Sequence, residues 1–327
     1  MILAGDIGAT NTRLALFAHE DGPLRCVAEE TFRSQHYPNL DVIVQKFIAS
    51  HDGTISAACF GVAGPVQHGR CETTNLAWVV DAAVLASILG IEQVWLINDL
   101  EATAHGIATL TASDWLVLNA GALDAVGNTA VIAAGTGLGE AGLHWDGKAY
   151  HPFACEGGHA DFAPRNELEI ELLRYLLARF GHVSYERVLS GPGLQTLYQF
   201  FRDTRRGVEP QWLVDELAQR DPAAVIAQAA LEEKNELCVQ ALNLFVSLYG
   251  AEAGNLALKV MATGGVFIGG GIAPKILPKL QEPLLLEAFC AKGRMRPLLE
   301  AMPVRVIINP KTALFGAARF VMAMRET

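Results

Sequence analysis

Three glycine-rich turns each lie at the end of an apolar run: Gly5-Asp6-Ile7-Gly8-Ala9-Thr10-Asn11-Thr12, Gly135-Thr136-Gly137-Leu138-Gly139 and Gly269-Gly270-Gly271. Glycine lets a ligand come close to the backbone. Thr10, Asn11 and Thr12 offer neutral hydrogen-bond donors. Asp6, at a strand end, is suited to hold a hydrated hard cation. Together these groups fit a phosphate chain carrying Mg²⁺. One such turn reads equally well as a plain surface hairpin, because turns and phosphate loops use the same residue types. Three of them at strand ends, where α/β sheets bind ligands, point to one nucleotide.

Gly137-Leu138-Gly139-Glu140-Ala141-Gly142 fits the spacing GxGxxG. A dinucleotide site needs a helix to begin there, whereas Leu143 to Lys148 reads as strand and turn. The chain has no GxxxxGK[ST] loop, no HExxH and no G-x-S-x-G elbow.

The elements that must position these turns read as a two-domain chain, the prior for 327 residues. Half the residues are hydrophobic (51%), 18% are charged and the net charge is −10. The basic footprint of a nucleic-acid binder is absent. A protein this acidic must hold polyphosphate with local donors and a metal. Cys26, Cys59, Cys71, Cys155, Cys238 and Cys290 are scattered, with no CxxC pair, as expected of reduced, mostly buried thiols. With no secretory leader and no apolar run long enough for a span, the expectation is a soluble cytoplasmic protein without nucleic-acid or membrane partners.

Strands are predicted at 1–4 and 14–17 (a hairpin), 55–60, 94–97, 129–134, 266–268 and 304–308. Helices are predicted over 79–89, through 222–258 and from 312 to 324. Another begins at a capping-box-like Asn166/Glu169 and carries Leu168, Leu172, Leu173, Leu176, Leu177 and Phe180 on one face. Gly61 to Pro65 and Asp203 to Pro210 read as loops. The second hairpin echoes the first, each ending in an Asp-Gly pair (Asp21-Gly22, Asp146-Gly147). The fold class is α/β with a partly parallel sheet.

The sequence resembles the actin-like ATPase superfamily, which includes hexokinases and the ATP-driven heat-shock chaperones. It is most similar to the bacterial glucokinase family. The matching stretches run in family order over nearly the whole chain: Asp6 to Ala15, Thr74-Asn75, Ile97-Asn98-Asp99, Gly135 to Gly139, Glu156-Gly157-Gly158-His159-Ala160-Asp161-Phe162-Ala163-Pro164, Glu186 to Gly193, Gly264 to Ile272 and Asn309-Pro310. Ala9 stands where the family usually has a second glycine. The cysteine cluster that binds zinc in the related repressor/sugar-kinase group is missing, so no structural zinc is expected.

The resemblance implies a two-domain, ribonuclease H-like fold with an interdomain cleft. The small domain would take 1–109 with the C-terminal helix, about 305–327, and the large domain 110–304. It implies ATP-dependent phosphorylation of glucose at its 6-hydroxyl, with a homodimer as the family-based assembly. Asp6, Gly8, Ala9, Thr10 and Asn11 fall on the first phosphate motif, with Asp6 near Mg²⁺ through water. Gly135, Thr136 and Gly137 fall on the second, and Gly269, Gly270 and Gly271 on the adenosine motif. Asn75, Asn98, Asp99, Glu156, His159 and Glu186 fall on the sugar set, with Asp99 as the catalytic base. By residue type alone Asp99 reads first as a helix cap, His159 as a structural histidine and Glu186 as a surface ion pair with Arg187. Alternatives are a kinase of another hexose, such as mannose or fructose, or a non-catalytic sugar-sensing regulator. The regulator reading expects a helix-turn-helix ahead of Asp6, where only five residues stand.

Overall fold

The computed structural model describes residues 1–18, 24–73 and 76–326. Two units make up the chain. The first is Met1–Ser113, Tyr150–Ala154 and Asn309–Thr327; the second is Asp114–Ala149 and Cys155–Ile308.

In the first unit, strands β1 (Ile2–Ile7), β2 (Asn11–Ala18), β3 (Arg25–Arg33) and β4 (Ala57–Val62) are joined by helix α1 (Leu40–Ser50) between β3 and β4. A small three-stranded sheet follows: β5 (Val66–Gln67), β6 (Arg70–Glu72) and β7 (Val79–Asp81). Then come α2 (Ala82–Leu89), β8 (Val94–Asn98) and α3 (Asp99–Ile107). The main sheet runs β3-β2-β1-β4-β8. Here β1 pairs antiparallel with β2 and parallel with β4, and β4 pairs parallel with β8. One face carries Leu3, Ile7, Leu14 and Phe60 against α1 residues Ile43, Val44 and Phe47. The other face is covered by the C-terminal helix, through Leu314, Ala317, Ala318 and Val321.

The second unit holds β9 (Trp115–Asn119), β10 (Thr129–Ala134), β11 (Leu138–Trp145), β13 (Gly265–Gly269) and β14 (Val304–Ile307), with β12 (Tyr150–Cys155) contributing its final residue. Within the unit the sheet runs β11-β10-β13-β14-β9. Its helices are α4 (Glu167–Leu177), α5 (Gly191–Asp203), α6 (Gln211–Gln219), α7 (Pro222–Leu231), α8 (Glu236–Val260), α9 (Leu277–Leu280), α10 (Pro283–Cys290) and α11 (Arg296–Glu300). The 25-residue α8 is buried along most of its length and packs against α5, α7 and α10. Among the described residues no helix is long and apolar enough to cross a membrane.

Several sequence expectations need correction. Val79–Asp81 is strand rather than helix, because it pairs with β6, and Asp81 caps α2 by accepting from the Ala83 N–H. The strand expected at 55–60 runs from Ala57 to Val62, so Gly61 and Val62 belong to the ladder and not to a loop. Leu177 is 53% exposed and leaves the apolar face of α4. Asn166 caps that helix, yet the Glu169 carboxylate turns to the Arg165 backbone N–H and guanidinium. The Asp21-Gly22 half of the echo lies outside the described residues.

α12 (Thr312–Glu326) crosses α3 at two glycines. A Cβ on Gly316 would fall 1.7 Å from the Ala102 carbonyl oxygen, and one on Gly106 would fall 2.1 Å from that of Thr312. Both obstacles are backbone, so neither can yield cheaply. Gly316→Ala is expected to lower unfolding stability by about 1–3 kcal/mol, read from urea melts. An unchanged midpoint would show that the crossing is looser than this geometry.

Candidate active site

Parallel pairing lines up the ends of three strands in the first unit. Asp6 of β1 lies beside Gly61 of β4, and Gly61 and Val62 lie beside Ile97 and Asn98 of β8. Asp6, Asn98 and Asp99 therefore share one sheet edge. The Asp6 side chain is 23% exposed and faces Arg13 across the hairpin, with Nη1 at 3.6 Å. Burial pushes the Asp6 carboxyl above its usual range, and Arg13 opposes that rise. Arg13 also donates to the Pro310 carbonyl at 2.5 Å.

The turn between β1 and β2 is closed by the Gly8 N–H donating to the Asn11 carbonyl at 3.0 Å. Gly8, Ala9 and Asn11 are half-buried and Thr10 is exposed. Thr12, expected to offer its hydroxyl to phosphate, does not. It is fully buried, and its Oγ1 pairs with Ser34 Oγ at 3.0 Å. Ser34 in turn donates to the Gly8 carbonyl at 2.7 Å, pinning the turn from inside.

Asn98, not Asp99, caps α3. Its Oδ1 accepts the Leu100 N–H at 2.9 Å, and its Nδ2 donates one hydrogen to the Gly64 carbonyl at 3.2 Å. Among the described residues no further hydrogen bond from Asn98 Nδ2 is formed. Asp99 is the first residue of the helix, half-buried, with Oδ1 accepting the same Leu100 N–H at 3.0 Å. Gly61 makes room for this start, since a Cβ there would lie 2.8 Å from Ala102 Cβ.

In the second unit the two remaining glycine turns are neighbours. β10 and β13 run parallel with Ala133 beside Gly269, so Gly135–Gly137 and Gly269–Gly271 leave the same sheet edge. The buried Tyr249 hydroxyl ties them together. It accepts the Ala134 N–H at 3.0 Å and faces the Gly269 carbonyl at 3.2 Å. Gly270 has φ +83°, and a Cβ on it would fall 2.3 Å from the Ala134 carbonyl oxygen. Gly135 and Gly271 open onto free space, where a Cβ would meet nothing within 4 Å.

Glu156 and His159 flank a single 3₁₀ turn, Gly157–His159. Both side chains are largely exposed (71% and 58%), with carboxylate and imidazole 3.9 Å apart. The two glycines between them are set by packing on β11. A Cβ on Gly158 would lie 2.1 Å from the Leu138 carbonyl oxygen, and one on Gly157 would lie 1.9 Å from Glu140 Oε2. Glu186 is no surface ion pair with Arg187, whose guanidinium lies over the Phe180 ring at 4.3 Å. Its Oε2 instead accepts the Leu138 N–H at 3.0 Å and lies against Gly137. Asp161 holds His182 at 2.8 Å. Asn75 lies outside the described residues, as does Thr74.

Sequence reading missed Tyr249, Glu140 and Glu252. The last two are carboxylates buried in apolar elements, β11 and α8. An acidic residue inside an otherwise apolar strand or helix was the available signal. Among the described residues, no group of three or more His, Cys, Asp or Glu side chains is placed to hold a metal ion.

A family model described as Glucokinase matches residues 3–324. The chain belongs to the glucokinase family. A glucokinase of Nostoc punctiforme is 45% identical over 333 residues, covering 97% of this chain and 98% of the relative. The crystal structure of a glucokinase from an Antarctic psychrotroph superposes with TM-score 0.84 at 32% identity, covering 98% of both chains. A ROK family glucokinase from Streptomyces griseus, in complex with glucose and AMPPNP, shares the fold at TM-score 0.62 and 20% identity, again covering 98% of both. The actin-like ATPase fold expected from the sequence is thus the fold observed.

Tyr249→Phe leaves the Ala134 N–H buried without an acceptor, a cost of about 1–3 kcal/mol. KM for the nucleotide is expected to rise several-fold while KM for the hexose moves little, read from initial rates. An equal rise in both would mean that Tyr249 supports the unit generally rather than the paired glycine turns.

Proposed function

We propose that the protein transfers the γ-phosphoryl group of ATP to the 6-hydroxyl of D-glucose. The observation that carries this reading is Asp99, a half-buried carboxylate at the first position of α3. It stands on the strand-end edge that also carries Asp6. Phosphoryl transfer asks for positioning and charge stabilisation, with a carboxylate to take the proton of the acceptor hydroxyl. Asp99 supplies that carboxylate from the first position of α3. The remaining N–H of Asn98 binds a sugar hydroxyl, and so do Glu156, His159 and the free oxygen lone pairs of Glu186. Such a mixture of carboxylate, amide and imidazole suits a polyhydroxyl ligand.

The open faces at Gly135 and Gly271 admit the phosphate and adenosine parts of a nucleotide. Support for ATP comes from the Streptomyces griseus relative, in complex with glucose and AMPPNP. Asp6 is the residue that would hold Mg²⁺, as a single carboxylate acting through water. When bound, Mg²⁺ would supply charge neutralisation on the transferred group. Arg13, 3.6 Å from Asp6, fixes the direction of that carboxylate. The six unpaired thiols agree with a cytoplasmic location.

Asp99→Asn is expected to cut kcat on the order of 10²-fold or more while glucose binding stays mostly intact. Near-normal turnover would end the assignment of Asp99 as base. A coupled assay with ATP and Mg²⁺ over glucose, mannose and fructose decides the substrate. Glucose is expected to give the highest kcat/KM, and no turnover with any hexose would reject the enzyme reading.

A further inference from the structure

Glu140 is 2% exposed, and neither of its carboxyl oxygens has a hydrogen-bond partner among the described residues. It projects from β11 against the underside of Gly157. Beside it is the fully buried Glu252 of α8, whose carboxylate is held by Lys259 Nζ at 3.2 Å and Asn255 Nδ2 at 2.7 Å. Cys155 donates to the Glu140 backbone carbonyl at 3.4 Å. Tyr249 of the same helix also feels the Glu140 charge, Cys155 feels both Glu140 and Glu156, and Lys292 lies beyond, on Asn255 Oδ1 at 2.5 Å. Lys259 is committed to Glu252 and only partly offsets the rise at Glu140.

We propose that Glu140 is a positioning residue for hexose binding: its uncharged carboxyl is the floor on which the Glu156–His159 turn rests, and its ionisation lifts that turn. The proposal rests on the reading of Glu156 and His159 as sugar-binding groups. An unpartnered carboxylate beside a second carboxylate cannot stay charged in an apolar setting. Burial, and then Glu252, push the Glu140 carboxyl up to about 8. When it does ionise, the strain falls on the weakest cover. The sheet lies on one side and the 25-residue α8 on another. Gly157 itself belongs to a three-residue turn, closed by His159 N–H to Glu156 O at 3.0 Å and Ala160 N–H to Gly157 O at 2.9 Å and held at its end by Tyr185 N–H to Ala160 O at 3.1 Å. Glu156 and His159, at its ends, move with it.

The sign is fixed by linkage. Between the ordinary carboxyl range and about pH 8, the folded chain keeps a proton that the unfolded chain has released, so stability falls as pH rises through that window. Above it, the folded chain too carries the buried charge.

The test compares the full-length chain with Glu140→Gln, which keeps an uncharged side chain of the same size. In the native chain KM for glucose is expected to rise roughly tenfold or more between about pH 7 and pH 9.5, with kcat moving much less. In E140Q it stays flat over that range. Hydrogen exchange of the amides in 156–162, corrected for the intrinsic pH dependence, gives a readout that needs no hexose. The turn loosens with alkali in the native chain and not in E140Q. A native chain without the alkaline change, or an E140Q profile that follows the native one in both measurements, overturns the proposal. If Glu156→Gln and His159→Ala leave KM for glucose untouched, the sugar-site reading fails instead, and hydrogen exchange alone still decides the role of Glu140.

Discussion

Leu138 is the residue through which the second unit couples its ligand-facing parts. It is the first residue of β11, directly after the Gly135–Gly137 turn. Its N–H goes to the Glu186 carboxylate and its carbonyl lies under Gly158. Two residues on, Glu140 lies under Gly157. One strand end therefore seats the glycine turn, the Glu156–His159 turn and Glu186. A backbone N–H to carboxylate bond is charge-assisted and directional, so Glu186 cannot shift without disturbing the turn at Gly137. The glycine pair in Glu156-Gly157-Gly158-His159 follows from the same constraint, because no side chain fits between that turn and β11.

Both units use one device. An antiparallel hairpin (β1/β2 or β10/β11) presents a glycine turn, and its first strand also pairs in parallel with a later strand (β4 or β13). The parallel neighbour brings a second segment to the same sheet edge. In the first unit that extends through β4 to Asn98 and Asp99. In the second it delivers Gly269–Gly271 beside Gly135–Gly137, with Tyr249 locking the pair from beneath. Glycine is used where backbone must meet backbone, as at Gly270 on Ala134 and at the crossing of α3 with α12.

The hairpins, the strand read at 94–97 and the C-terminal helix were legible because alternation and turn chemistry coincide there with tertiary pairing. Strand β7 was not, since Val79-Val80-Asp81 is continuous in pattern with the apolar helix after it, and only its pairing with β6 separates them. The candidate site residues were named through the family resemblance, and their surroundings could not be read from the sequence. Nothing in the local sequence tells that Thr12 turns inward to Ser34, or that Asn98 rather than Asp99 caps α3. Both depend on contacts formed elsewhere in the unit: Ser34, twenty-two residues on, and Gly64, thirty-four residues back. Glu140 was visible as an anomaly within an apolar strand, yet its position beneath Gly157 exists only once the chain is folded.

The central claim is that Glu186, proposed as a sugar ligand, also braces the proposed phosphate turn through the Leu138 N–H. Titration calorimetry of Glu186→Ala with glucose, and separately with a non-hydrolysable ATP analogue, tests it most directly. The account requires both dissociation constants to rise relative to the native chain. A variant that loses glucose affinity while binding the nucleotide analogue as tightly as before would contradict it.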